Sequence, residues 1–237
     1  MNSLFTNNIS LDHGTHTYQL LDDPEFRFAS VTEFIHEFFR KFDQEKTAKK
    51  LISEHPKYIN RTLDDVIKEW RKGAERGTIV HNELELFIKE GIEPKHELAN
   101  VGARWLKTKQ ENSDNTFYSE VIVYSKELGV AGTIDVLVYN KKQDTYHLVD
   151  WKTNKRINQK PFGNKKGILN ATQHLDDCNF IHYSLQLSFY RYILENCYGL
   201  KVGSQTLFHL RADNYKTYTV NYHEGDLVNM LEEKELL

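Results

Sequence analysis

Cysteine is scarce: Cys178 and Cys197 are the only two in 237 residues. That excludes a disulfide scaffold and points to a reducing, intracellular compartment such as a cytoplasm. It also leaves too few thiols for a four-cysteine zinc or iron–sulfur site. No run of 18 apolar residues occurs, so no membrane span is expected. The N-terminal stretch Met-Asn-Ser-Leu-Phe-Thr-Asn-Asn has neither the basic and apolar regions of a secretory signal nor the arginines of a transit peptide. An excess of positive charge is also missing. Lys and Arg number 31 against 34 Asp and Glu, a net charge of −3, which argues against a highly basic, non-specific nucleic-acid binder. Prolines are few, at 24, 56, 94 and 161, and they punctuate the chain without making it low in complexity.

What is present suits a globular chain. Hydrophobic residues at 39% and charged residues at 27% exclude a disordered protein, and the length allows a substantial core. Residues 1–29 read as a loose hairpin, with His13 and His16 in its turn and no chemistry expected of them. Residues 31–53 read as a helix capped by Ser30 or Thr32. Residues 62–90 read as helical, with Thr62 and Asp65 as a capping box, Gly91 as the stop, and Gly73 and Gly77 as a place to divide it in two. Residues 96–111 form a further amphipathic helix.

The period then changes from helical to alternating. Residues 117–124, 131–139 and 145–152 are rich in β-branched and aromatic side chains and are separated by turn residues, the pattern of an antiparallel three-stranded meander. A basic, turn-rich segment follows at 153–175, then a helix at 179–197, strands at 205–211 and 215–222, and a tail helix at 226–236. The order predicts an α+β (mixed α/β) fold in one domain, with a central, mostly antiparallel sheet flanked by helices. Residues 1–61 make an N-terminal hairpin and helical region, 62–222 the core and 223–237 a tail helix.

A spacing carries the chemistry. Glu120, Asp135 and Asp150 lie 15 residues apart. If 126–129 and 141–144 are four-residue loops, 125 pairs with 130 and 140 with 145. Glu120 then faces Asp135, Asp135 faces Asp150, and the three carboxylates form a row on one face of the sheet. Opposed β-carbons are about 5 Å apart, so such a row calls for a cation, and oxygen ligands suit Mg²⁺ or Mn²⁺. The alternative is three unrelated surface acids. Lys152 shares a face with Asp150. Beside a metal-binding carboxylate it could stabilise developing charge or orient a water; otherwise it is a plain ion pair. Trp151 points the other way, into the core.

Gly132-Thr-Ile-Asp135 followed by Asp150-Trp-Lys152 resembles the catalytic core of the PD-(D/E)XK nuclease superfamily, with Ile134 where the motif's name has proline. Gly77-Thr-Ile-Val-His81 resembles the metal-ligand histidine motif of its RecB-like, mitochondrial- and phage-type exonuclease branch. Glu120 matches the acid on the preceding strand, and Gln186-Leu-Ser-Phe-Tyr190 matches the Gln-x-x-x-Tyr motif on the following helix. Ser30-Val-Thr32 is similar to an upstream segment of that branch. The likeness covers about residues 70–222 in order.

The resemblance implies a restriction-endonuclease-like core and a Mg²⁺- or Mn²⁺-dependent deoxyribonuclease using one or two ions and no iron–sulfur cluster. Asp135, Asp150, His81 and the Trp151 carbonyl would hold the main ion, and Glu120 a second ion or its water. Lys152 would position the attacking water, and Gln186 and Tyr190 would support the site or the DNA backbone. It implies exonuclease action on single-stranded DNA or DNA ends, in replication, repair or recombination, by a monomer of phage, viral or cellular origin. A structure-selective or flap endonuclease, or a non-cleaving nucleic-acid-binding protein with a relic site, are the alternatives. A carboxylate-pair glycosidase would need neither the lysine nor the histidine.

Other residues are read on their own. Lys155, Arg156, Lys160, Lys165 and Lys166 lie in a stretch without an acid, either a phosphate-contacting lip or a solvated loop. Arg71, Lys72, Arg76, Arg104, Lys107 and Lys109 could extend it. Glu85 is a supporting or surface acid. His174, Cys178 and His182, spaced by four, lack a fourth zinc ligand.

Overall fold

The computed structural model describes residues 8–12, 14–15 and 17–237. His13 and His16 lie outside the described residues. Two short strands, β1 (Ile9–Asp12) and β2 (Thr17–Leu20), pair as the expected hairpin. The helix expected over 31–53 is two: α1 (Val31–His36), capped by a Ser30–Glu33 capping box, and α2 (Gln44–Glu54), capped by Asp43. Between them the Phe38 carbonyl accepts from the Ile168 N–H and the Thr172 hydroxyl, partners outside any helix, and Phe38 and Phe39 are buried in the core. By contrast α3 (Leu63–Glu90) is a single helix despite its glycines. Thr62 and Asp65 cap it reciprocally, and Gly91 ends it at φ 71°, a left-handed position that glycine adopts without β-carbon strain. Then come α4 (Glu97–Gln110), β4 (Asn115–Ser125), β5 (Val130–Asn140) and β6 (Thr145–Lys152). After the basic segment follow α5 (Asn179–Asn196), β7 (Val202–Leu210), β8 (Tyr215–Thr219) and α6 (Glu224–Glu233).

The sheet is mixed. β4–β5, β5–β6 and β7–β8 are antiparallel, whereas β6 and β7, joined by the α5 crossover, are parallel. A two-residue strand, β3 (Ala29–Ser30), adds parallel to the start of β5. One core lies between the sheet and α1, α5 and α6, and a second between its other face and α3 and α4. Helix α5 has no exposed residue from Asn179 to Glu195, because it is covered on the sheet side and by α1 and α6. Tyr190 is buried on the sheet side, against Gly132 of β5.

Two features of β5 make room for a site. On its far edge from β4, β5 pairs with β3 only at Val130–Ala131 and with β6 only from Val136 onward. Residues 132–135 of that edge are open, and β6 leaves it to follow β7 as far as Lys152. The sheet thus forks at Asp135 and Asp150. In addition, side-chain alternation breaks on β4 and β5 at matched positions. Tyr118 and Val121 pack toward the same core, as do Ile134 and Leu137, so two residues in a row turn away from it on each strand. Glu120, at φ 51°, is the left-handed residue that accomplishes this on β4.

Candidate active site

The fork opens into a cleft of about 660 Å³. Its walls come from α3 (Gly77, Thr78, His81), the β4–β5 break (Glu120, Asp135), the end of β6 (Asp150, Lys152) and α5 (Gln186, Tyr190). The loop register is as the spacing requires: Ser125 pairs with Val130 and Asn140 with Thr145. Glu120 stands opposite Asp135 between the pairs Val121–Ile134 and Ser119–Val136.

The row on one face is not what forms. The β5–β6 ladder stops at Val136–Val149, one pair short of Asp135 and Asp150. In place of a ladder bond, the Trp151 N–H donates to Asp135 Oδ2 at 2.7 Å. Glu120 and Asp135 turn to the α3 side, where His81 waits. Asp150 and Lys152 share the parity of Tyr146 and Leu148, which pack toward α5. Lys152 Nζ sits 4.3 Å from the centroid of the Tyr183 ring on that helix. Glu120 and Asp135 converge with His81, whereas Asp150 is outside that group and pairs with Lys152.

His81, Glu120 and Asp135 each offer a ligand atom within 4.8 Å of the others. His81 Nδ1 is 3.5 Å from Asp135 Oδ1, and its Nε2 is 3.1 Å from the Trp151 carbonyl oxygen. A proton on Nε2 makes the latter a hydrogen bond, so two groups expected to share an ion contact each other directly. Asp150 Oδ2 is sealed from solvent without a well-directed hydrogen bond, and its close charge partner is Lys152 Nζ at 2.6 Å.

The charges are strongly perturbed. Burial and the neighbouring Asp135 push the Glu120 carboxyl up to about 8. Burial, opposed by Lys152 and reinforced by Asp135, pushes Asp150 up to about 6. Burial also opposes charge on His81, but Asp135 outweighs it and lifts the imidazole to about 9. For Asp135 itself burial is outweighed by His81 and Lys152, which hold it below the ordinary carboxylate range. Burial disfavours the Lys152 ammonium, yet Asp150 and Asp135 raise its pKa above normal, so it is a donor and a fixed positive charge at neutral pH, not a base. Two acids crowded with one imidazole, beside an under-bonded buried oxygen of Asp150, fit a hard divalent cation.

The motif residues explain one another. Gly132 lies so close to Tyr190 that any β-carbon there would overlap its ring. Gln186 Nε2 donates to Tyr190 Oη at 2.9 Å and approaches Thr32 Oγ1 at 3.4 Å, which ties the segment Ser30–Thr32 to α5. A β-carbon on Gly77 would meet Thr153 Oγ1 at 3.3 Å, so α3 passes close over the chain leaving Lys152. Arg76 reinforces this approach, donating to the Thr153 carbonyl at 3.1 Å.

The basic segment does not line the cleft. Lys155 pairs with Glu69, and Lys166 with Asp176 at 2.6 Å. Arg156, Lys160 and Lys165 are exposed. The segment is built, not loose: Asn158 N–H donates to Asn179 Oδ1, and Ile168 N–H to the Phe38 carbonyl. Lys107 pairs with Glu93 at 2.7 Å, away from the cleft, and Glu85 with Lys89 at its rim. His174 is hydrogen-bonded to Asp226, and His182 Nε2 lies 3.1 Å from Asp177 Oδ1. Sequence reasoning missed Tyr183, although it lies three residues before Gln186 and seven before Tyr190, on one helical face. It also missed Tyr18, whose Oη meets Thr133 Oγ1 at 2.9 Å across the cleft wall.

No curated protein sequence matches the chain. Among solved structures it is similar to the crystal structure of SSO0001, at 15% identity over 88% of this chain and 75% of that one, with a TM-score of 0.40. It is also similar to a candidate exonuclease from Eubacterium rectale, at 12% identity over 88% of this chain and 79% of that one, with a TM-score of 0.38. No helix among the described residues is long and apolar enough to cross a membrane. The family model that matches describes the PD-(D/E)XK nuclease superfamily and spans residues 15–235, nearly the whole chain, and the chain belongs to that superfamily.

Proposed function

We propose that the cleft hydrolyses phosphodiester bonds of DNA with Mg²⁺ or Mn²⁺, acting from ends in the manner of the RecB-like exonuclease branch. The observation that carries this is the meeting of His81, Glu120 and Asp135 ligand atoms within 4.8 Å, beside the buried Asp150–Lys152 pair. Asp135, Asp150 and His81 would hold the ion, with Trp151 contributing its carbonyl and Glu120 a second ion or a water. The bound ion supplies a lowered pKa for its water and positive charge for the phosphate.

The chain's own groups do the rest. The Lys152 ammonium, kept charged by Asp150 and Asp135, donates to the attacking water or to a non-bridging phosphate oxygen as negative charge grows there. Asp135 fixes the fork through Trp151 N–H and so sets the distance between β5 and β6. As a ligand His81 would be the neutral imidazole, and its Nε2–H on the Trp151 carbonyl orients the ring. Gln186 and Tyr190 brace the wall opposite. The spacing of Gly77 to His81 on α3 and of Gln186 to Tyr190 on α5 supports the RecB-like assignment.

The test uses end-labelled linear and closed-circular single-stranded DNA, and RNA of the same sequence, with Mg²⁺ or EDTA. Metal-dependent loss of the linear DNA alone is expected. Cleaved circles would instead support the endonuclease alternative, and no cleavage of any substrate would remove the assignment.

A further inference from the structure

Outside the cleft, aromatic rings and bases are interleaved on an exposed surface. Phe42 is 65% exposed and Phe162 is 78% exposed, unusual values for large apolar rings. Phe42 packs on Trp70 with centroids 5.6 Å apart, joining the segment after α1 to α3. Phe162, in the basic segment, carries Lys50 of α2 over its face at 5.6 Å. Trp70 precedes His81 by 11 residues on α3, three turns, so the two share a helical face about 16 Å apart. The chain leaving Lys152 follows the same course, with Thr153 against Gly77 and Lys155 paired to Glu69. Cleft and aromatic surface are therefore ends of one path along α3.

Bases outnumber acids along this path. Arg40, Lys41 and Lys46 are exposed around Phe42, and Arg156, Lys160 and Lys165 around Phe162. Against them stand Asp43, engaged in capping α2, Glu45, paired with Lys49, Glu69, shared by Arg61 and Lys155, and the exposed Glu75. Residues 151–175 contain no acid at all. Exposed rings set among unpaired bases suit a ligand with flat faces and a polyanionic backbone. Duplex DNA hides its base faces and offers only the second.

We propose that Phe42, Trp70 and Phe162 form a base-stacking track that holds single-stranded nucleic acid on its way to the cleft, with its phosphates met by the surrounding Lys and Arg side chains. This rests on the nucleic-acid substrate of the reading above. Stacking on such rings contributes affinity for the strand and not stabilisation of the transition state, so removing them raises KM and leaves kcat in place.

The experiment measures binding in EDTA, where no cleavage intervenes, alongside hydrolysis in Mn²⁺. Fluorescein-labelled oligothymidylate and a duplex of equal length are titrated with wild type, Phe42→Ala and Phe162→Ala. Each variant is expected to bind oligothymidylate about tenfold more weakly and the duplex unchanged. KM should rise in parallel at constant kcat. Oligothymidylate should also quench tryptophan emission in wild type and not in Trp70→Phe, since Trp105 and Trp151 pack in the second core. Affinities within about twofold of wild type in both alanine variants, or equal quenching by heparin, would overturn the track and leave only a charged surface. Cleavage with unchanged affinities fails the track alone. Ring-dependent binding without any cleavage fails the nuclease reading and leaves the track standing.

Discussion

Gly132 on β5 and Tyr190 on α5 are in contact so close that the glycine has no room for a side chain. The pair couples two motifs that lie 58 residues apart in the sequence, and it fixes how far α5 stands from the open edge of β5. Gly132→Ala must displace either the ring or the strand. It is expected to destabilise the protein by about 1–3 kcal/mol, read from the urea midpoint at unchanged m-value. An alanine variant as stable as wild type would mean that Tyr190 has freedom the packing does not show.

Tyr190→Phe tests the hydroxyl separately. It keeps the ring against Gly132 and removes the acceptor of the Gln186 amide. The expected loss is about 1 kcal/mol, since Gln186 is only partly buried and retains Thr32 and solvent as partners. The urea midpoint reads this too, and a loss comparable with that of Gly132→Ala would place the weight on the hydrogen bond.

Stability in the absence of metal should depend on pH in an unusual direction. Glu120 rises from 4.5 unfolded to about 8 folded, and Asp150 from 3.8 to about 6. His81 rises from 6.5 to about 9. Each group binds its proton more tightly when folded, so its contribution is full below the unfolded value and is lost as pH rises through the folded one. The Tm in EDTA is therefore expected to fall steadily between pH 5 and about 9. Asp135, shifted down, acts in the opposite sense only at acid pH. Mn²⁺ competes with these protons, so its stabilising effect should grow over the same range. A flat EDTA profile, or stabilisation by Mn²⁺ that shrinks with pH, would contradict the charge arrangement.

Lys152→Ala removes the cation beside Asp150. Hydrolysis at saturating Mn²⁺ should drop by at least about a hundredfold, because the donor acts on charge that develops in the reaction. Stability should change little at pH 5 and more at pH 8. Asp150 can meet the loss by taking up a proton at the lower pH, but not at the higher. Initial rates and urea midpoints at the two pH values check both. Activity within tenfold of wild type would exclude Lys152 from the reaction.

Much of this was legible before any coordinates. Gly129 at φ 64° and Asp144 at φ 49° close the two four-residue loops, and residues of their types in those places set the strand register correctly. Thr62, Asp65 and Gly91 bounded α3 because capping is local chemistry. What escaped depends on neighbours distant in sequence. The paired breaks in alternation turn Glu120 and Asp135 toward His81 of α3, a partner no local pattern names. The end of the β5–β6 ladder at Val136 exists because β6 is drawn along β7. Strict alternation puts the carboxylates in a row, whereas the fork sends Glu120 and Asp135 to His81 and Asp150 to Lys152. At the interruption between α1 and α2 the Phe38 carbonyl is taken by Ile168 and Thr172, more than 120 residues on, and Tyr190 is inside because it packs against Gly132 of β5. The net charge of −3 averages an acidic cleft with an exposed basic surface beside it.

The most direct measurement is hydrolysis of labelled linear single-stranded DNA by wild type and Asp150→Asn, purified in EDTA and titrated with Mn²⁺. Asn keeps the volume and removes the buried charge that a divalent ion would need. Wild type is expected to be inert in EDTA and to gain activity in step with added Mn²⁺, with Asp150→Asn folded, able to bind the DNA and inactive throughout. Activity of wild type in EDTA, or comparable Mn²⁺-dependent activity in Asp150→Asn, would show that the chemistry does not take place in this cleft.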